Sequence, residues 1–125
     1  MARPVAGDIV LVDCRGGQLP AEPGGVRPAV VVEAAGLLAD EYPNLLVVPL
    51  TRDPRYAAMS SLVEPIEPNA ENGCPAPCWA VCHHVTSVSR RRVQPTNSRV
   101  TAQQVASIRA RLSLALGYGR PGTSL

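Results

Sequence analysis

The sequence predicts a mainly β fold with one C-terminal helix, arranged as a small β-barrel with the helix appended. Two observations carry that prediction. Short runs rich in valine, isoleucine and leucine recur along the chain, each bounded by glycine, proline or polar residues. One capped, amphipathic segment then closes the sequence near its C-terminus.

Ile9-Val10-Leu11-Val12-Asp13-Cys14 reads as the first strand, because β-branched residues follow a Gly-Asp pair. Arg15 to Val26 is dense in glycine and proline and reads as a long loop, a length that tends to carry function. Arg27 to Glu33 is the second strand, with Pro28 near its start because proline removes a ladder donor. Leu45 to Thr51 is a buried strand by its continuous apolar run. Leu62 to Ile66 reads as an edge strand broken by proline. Trp79 to His84 and Val85 to Val93 read as one or two more strands. Thr101-Ala102-Gln103-Gln104 matches a capping box, with Val100 and Val105 placed as a hydrophobic staple. Val105, Ile108, Leu112 and Leu116 then share one helix face, and Gly117 is placed to stop the helix. Residues 1–118 read as a single domain, with the helix at 101–116 and a flexible tail at 119–125.

The chain has 125 residues, 46% hydrophobic and 18% charged, with a net charge of +2. One core is affordable, and a charged disordered chain or a basic polyanion-binding tail is excluded. No run of apolar residues suits a membrane-spanning helix, and Met1 to Asp8 lacks the apolar stretch of a secretory signal. The expected compartment is the cytoplasm, where the four cysteines begin as thiols. Lysine and phenylalanine are absent, and all twelve cations are arginine. Codon bias in a GC-rich genome would account for this, and so would the use of arginine for bidentate phosphate recognition; composition does not separate the two. With aromatics at 3%, a broad base-stacking platform is not expected.

An ordered set of segments resembles the MazF/PemK toxins. These are Gly7 to Asp13, the more specific Glu22-Pro23-Gly24-Gly25-Val26-Arg27-Pro28-Ala29-Val30-Val31-Val32, and Val47-Val48-Pro49-Leu50-Thr51. Val85 to Val93 and a helix ending at Leu116-Gly117-Tyr118 complete the set. The resemblance implies an SH3-like (CcdB/MazF-type) small β-barrel forming a homodimer. It also implies a sequence-selective endoribonuclease toxin that cuts single-stranded RNA without a metal or other cofactor. The 2′-hydroxyl would attack the adjacent phosphate, leaving a 2′,3′-cyclic phosphate and a 5′-hydroxyl. The implied partner is a MazE-like antitoxin whose disordered C-terminal segment folds across the RNA groove.

Carried onto this chain, the resemblance makes Arg27 and Thr51 the catalytic candidates. A guanidinium at a loop-to-strand junction stabilises charge developing on phosphate, and a hydroxyl bonds a phosphate oxygen or positions the 2′-hydroxyl. Either residue could instead be structural, Arg27 by tying down the glycine-rich loop and Thr51 by capping a strand end. Many members carry a serine where this chain has Ala21, and a polar residue where it has Pro23, so one hydroxyl that could contact RNA is missing. His83-His84 falls where the family often has an acidic residue followed by glutamine. Strand alternation would send the two imidazoles to opposite faces, so that one could face the RNA as a proton carrier; the family's glutamine position points to His84, and a half-buried or solvent-facing histidine with no role is an equal alternative. Arg15, Gln18, Arg52 and Arg55 complete the candidate RNA contacts. In a strand, Arg91 would oppose Arg90 and Arg92, and Trp79 reads as a core anchor.

Cys74, Cys78 and Cys82 followed by His83 and His84 invite a test for zinc. The spacing lacks the usual paired ligands, and Pro75 and Pro77 oppose a helix that would align the sulfurs. Buried thiols are the simpler reading, and no metal site is assigned. A Cys74–Cys78 disulfide would need oxidising conditions. Other functions remain open. The CcdB type uses the same barrel to poison gyrase without cutting, and a degenerate member would bind only RNA or antitoxin. The Gly-Gly-Val-Arg-Pro segment with Thr51 favours the ribonuclease.

Overall fold

The computed structural model describes residues 3–15 and 25–118. Gln18, Ala21, Pro23 and the expected tail at 119–125 lie outside them. Seven strands form one antiparallel sheet: β1 Asp8–Asp13, β2 Val26–Val31, β3 Asn44–Thr51, β4 Val63–Ile66, β5 Cys78–Val81, β6 Thr86–Ser89 and β7 Val93–Arg99. Helix α1, Ala102–Ala115, follows. The strand order is β4-β5-β3-β2-β1-β7, with β6 also paired to β3.

The mainly β fold with its C-terminal helix is the predicted one, and the sheet stays open. β4 and β7 stand at its two ends, and each carries a proline, Pro65 and Pro95, that lacks a ladder donor.

Strand β3 organises the site by changing partners along its length. Val47, Val48 and Pro49 pair with Val31, Val30 and Ala29 of β2, while Leu50 and Thr51 pair with Ala80 and Trp79 of β5. Pro49 marks the end of the β2 ladder. On the side of β5, Asn44 to Val47 pair with Ser89 to Thr86 of β6. From Leu50 to Val47 the chain advances three residues, but from Ala80 to Thr86 it advances six. The surplus is a 3-10 turn, Cys82–His84. The two histidines are therefore extruded from the strand, and alternation does not set their directions.

Period-two alternation divides the core between the two faces. Ile9, Val30, Val48, Leu50 and Ile66 pack beneath Val105 and Ile108 of α1. Val10, Val12, Ala29, Val31, Leu45, Val47 and Val88 fill the other face. No phenylalanine is available, so branched aliphatic residues supply the volume.

The capping box forms as predicted: Gln104 N–H donates to Thr101 Oγ1 at 3.0 Å, and Thr101 N–H to Gln104 Oε1 at 2.8 Å. Gly117 adopts φ +92° just past the helix, the left-handed conformation that glycine tolerates. Leu116, expected on the packed face, is 72% exposed and lies just past the last helical residue, Ala115, at the C-cap. Arg90–Arg92 is also a 3-10 turn rather than strand, capped by Ser89. Strand β7 continues to Arg99, where the polar sequence gave no strand signal.

A part-buried ion pair fastens the N-terminal segment. Arg3 meets Glu33 in a bidentate contact at 2.6 and 2.9 Å and donates to the Asn44 carbonyl at 2.6 Å. Glu33 also accepts the Leu46 N–H at 3.2 Å, locking the β2–β3 connection.

Candidate functional site

Arg27 and Thr51 are two of the few polar residues buried among the described ones, at 5% and 8% exposed. The β2–β3 register, continued two residues past the Ala29–Pro49 pair, sets Arg27 opposite Thr51. The junction is fixed by Arg27 Nε–H donating to the Leu50 carbonyl at 3.2 Å. That bond holds the guanidinium plane and partners a buried charge that would otherwise be costly.

Thr51 ends β3. Its Oγ1 accepts the Asp53 N–H at 3.2 Å, which leaves the hydroxyl proton able to donate elsewhere. Asp53 then caps a 3-10 turn, Pro54–Ala58, by accepting the Arg55 N–H. The turn brings Tyr56 edge-on to His84, with ring centroids 6.0 Å apart. Sequence reasoning passed over Tyr56. The signal was present in Asp53-Pro54, an N-cap followed by proline at the first turn position.

His83 and His84 lie in the extruded turn with ring centroids 4.5 Å apart and planes 61° apart. They are neighbours rather than occupants of opposite faces, because three residues in a 3-10 turn do not alternate. Burial lowers the pKa of His84 from its ordinary value, and the charges of His83 and Arg27 lower it further. Arg27, Thr51, Tyr56 and His84 are thus gathered by β2, β3 and two 3-10 turns. Nδ1 of His83 is buried with no hydrogen-bond partner among the described residues.

The outlying arginines divide. Arg15 is held by Asp13 at 2.6 Å and Arg55 by Asp53 at 2.7 Å, both at the surface. Arg52 is exposed and lines, with Thr51, a cavity of about 300 Å³. The stems of the glycine-rich loop meet where Cys14 N–H donates to the Gly25 carbonyl at 2.8 Å. Gly25 has φ +75°, and a Cβ there would come within 2.6 Å of the Arg15 side chain. The backbone conformation favours glycine at that stem, and a side chain there would also displace the exposed Arg15. Trp79 is half-buried and pairs with Thr51, so it borders the site rather than anchoring the core.

Among the described residues no three Cys, His, Asp or Glu side chains group as a metal site. No described helix is long and apolar enough to cross a membrane.

The open antiparallel sheet with its C-terminal helix is the fold of small toxins of toxin–antitoxin systems. Residues 6–116 match the family described as PemK-like, MazF-like toxin of type II toxin–antitoxin systems, and the chain belongs to that family. Among solved structures it is similar to an endoribonuclease in complex with its cognate antitoxin from a mycobacterial species. That match has a TM-score of 0.71 at 17% identity and covers 94% of this chain and 99% of the other. It is also similar to MazF from Deinococcus radiodurans, with TM-score 0.68 and 24% identity over 93% of this chain and 98% of that one. A MazE–MazF structure from the same organism matches with TM-score 0.62 and 20% identity, covering 94% and 98%.

Proposed function

We propose that this toxin is an endoribonuclease that cuts single-stranded RNA in the cytoplasm using side chains alone. The observation that carries the reading is the buried Arg27 anchored on Leu50, beside Thr51 and within electrostatic reach of His84. The 2′-hydroxyl attacks the adjacent phosphate, giving a 2′,3′-cyclic phosphate and a 5′-hydroxyl. Arg27 stabilises the charge gathering on the phosphorane, which a fixed, partly desolvated guanidinium does more strongly than one in water. Thr51 donates its hydroxyl proton to a phosphate oxygen or positions the 2′-hydroxyl. His84 contacts the RNA and, neutral at pH 7, takes the 2′-hydroxyl proton, while solvent protonates the leaving 5′-oxygen.

Arg52, which shares with Thr51 a cavity that Arg27 and His84 do not line, adds a phosphate contact, and Arg15, Arg55 and Gln18 add others. With a net charge of only +2, specific contacts rather than bulk attraction set affinity. The family resemblance supports a homodimer and a MazE-like antitoxin whose C-terminal segment occupies the RNA groove. The antitoxin complex among the similar structures supports such a partner. Incubation of single-stranded RNA with wild type and Arg27→Ala in EDTA tests the reading. Defined cuts lost in the variant support it, and equal cutting by both removes Arg27 from the reaction.

A further inference from the structure

We propose that Cys74 and Cys78 form a redox modification site, two thiols that a hydroperoxide converts reversibly into an intrachain disulfide. Their Sγ atoms lie 3.7 Å apart. Nothing in the ribonuclease reading uses them. Cys74 Sγ also lies 3.7 Å from the Asn72 carbonyl. The other two cysteines are buried and contact backbone carbonyls, Cys14 that of Val12 at 3.3 Å and Cys82 that of Ala80 at 3.5 Å.

The pair is pre-positioned by its surroundings. Asn72 is 3% exposed, and its Oδ1 accepts the N–H groups of Cys74 at 2.9 Å and Asn69 at 3.1 Å. Its amide nitrogen donates to the Glu67 carbonyl at 2.8 Å, so the turn that presents Cys74 is held from three sides. Cys78 is fixed as the first residue of β5. Pro75 and Pro77 stiffen the three residues between them, which reduces the entropy lost on closing the ring.

Access selects which thiol reacts first. Both sulfurs border the cavity that also holds Thr51 and Arg52, but Cys74 is half-buried whereas Cys78 is buried, and burial pushes the Cys78 thiol up to about 12. Cys74 sulfur therefore attacks the peroxide. An S–O bond forms, the O–O bond breaks, and one oxygen leaves as water once protonated, giving the sulfenic acid. Cys78 sulfur then attacks the Cys74 sulfur. The S–S bond forms, the S–O bond breaks, and the departing oxygen takes the Cys78 proton and leaves as a second water. Two thiols and one hydrogen peroxide become one disulfide and two waters. Because Cys78 ionises late, ring closure is slow near neutrality and quickens as pH rises. The bridge would stand in the cavity wall, beside Trp79, which is the β5 partner of Thr51.

The test is intact-mass and thiol analysis of the reduced full-length chain after treatment with one equivalent of hydrogen peroxide. The expected product has lost two hydrogens and two alkylatable thiols, and dithiothreitol restores both. Cys74→Ser and Cys78→Ser each abolish it, Cys82→Ala retains it, and fragmentation of the wild-type peptide maps the bridge without relying on any variant. Four results would overturn the proposal: a sulfinic or sulfonic acid at Cys74 without a bridge, a bridge to Cys82, a disulfide-linked dimer, or no thiols lost. None of these readouts depends on RNA cleavage, so the proposal stands or fails separately from the ribonuclease reading.

Discussion

Arg27 Nε–H donates to the carbonyl of Leu50 at 3.2 Å, so the side chain from β2 is fastened to the residue just before Thr51 on β3. The ladder between those strands has already ended at Pro49, and this bond spans the opening. Arg27→Ala is expected to lower RNA cleavage by about 10²–10³-fold, the scale of losing a fixed donor to a developing oxyanion. It should also cost roughly 1–2 kcal/mol of stability, because a carbonyl loses its donor. Cleavage kinetics and urea unfolding check the two effects separately.

Thr51→Val preserves shape and removes the hydroxyl. The expected loss is about tenfold in the cleavage rate, the kinetic equivalent of one neutral hydrogen bond. Single-turnover measurements with saturating protein would place that loss in the chemical step rather than in RNA affinity.

His84 carries a pH prediction. Its folded pKa lies below the ordinary value, first through burial and then through His83 and Arg27. In the window between the depressed folded pKa and about 6.5, the unfolded chain binds more protons, so stability rises with pH. The contribution is complete above about pH 6.5 and is lost as pH falls through the folded value. If neutral His84 is the base, the cleavage rate rises over pH values below 6.5 and is flat near pH 7. His84→Gln should flatten the acid limb of both profiles. An unchanged limb in the variant would assign it to another group.

Much of the fold was legible from local chemistry. The first three strands follow from β-branched runs, and the capping box around Thr101 located the helix to within a residue of its observed start. Arg27 and Thr51 came from the resemblance, and no composition rule would have singled them out. What escaped was set by tertiary pairing. The extruded Cys82–His84 turn exists because β5 and β6 pair with different stretches of β3. Strand β7, with Gln94, Pro95 and Thr96, is a strand because β1 offers it an edge.

The Arg3–Glu33 pair is almost fully enclosed, and Glu33 also accepts the Leu46 N–H. Glu33→Ala would leave a part-buried guanidinium and a backbone donor without their shared partner. The guanidinium would keep the Tyr42 and Asn44 carbonyls as acceptors, so the expected loss is about 1–2 kcal/mol, more than an exposed pair contributes. A lowered urea midpoint with an unchanged slope would show it.

The most direct test of the central claim uses one single-stranded RNA whose cut site has been mapped, prepared with a single 2′-deoxynucleotide on the 5′ side of the scissile phosphate. With EDTA present, the account predicts that wild-type protein cuts the all-ribose strand to a cyclic phosphate and a 5′-hydroxyl and leaves the substituted strand whole at that position. Cleavage of the substituted strand at the same phosphate would contradict the account, because the attacking group would then not be the 2′-hydroxyl.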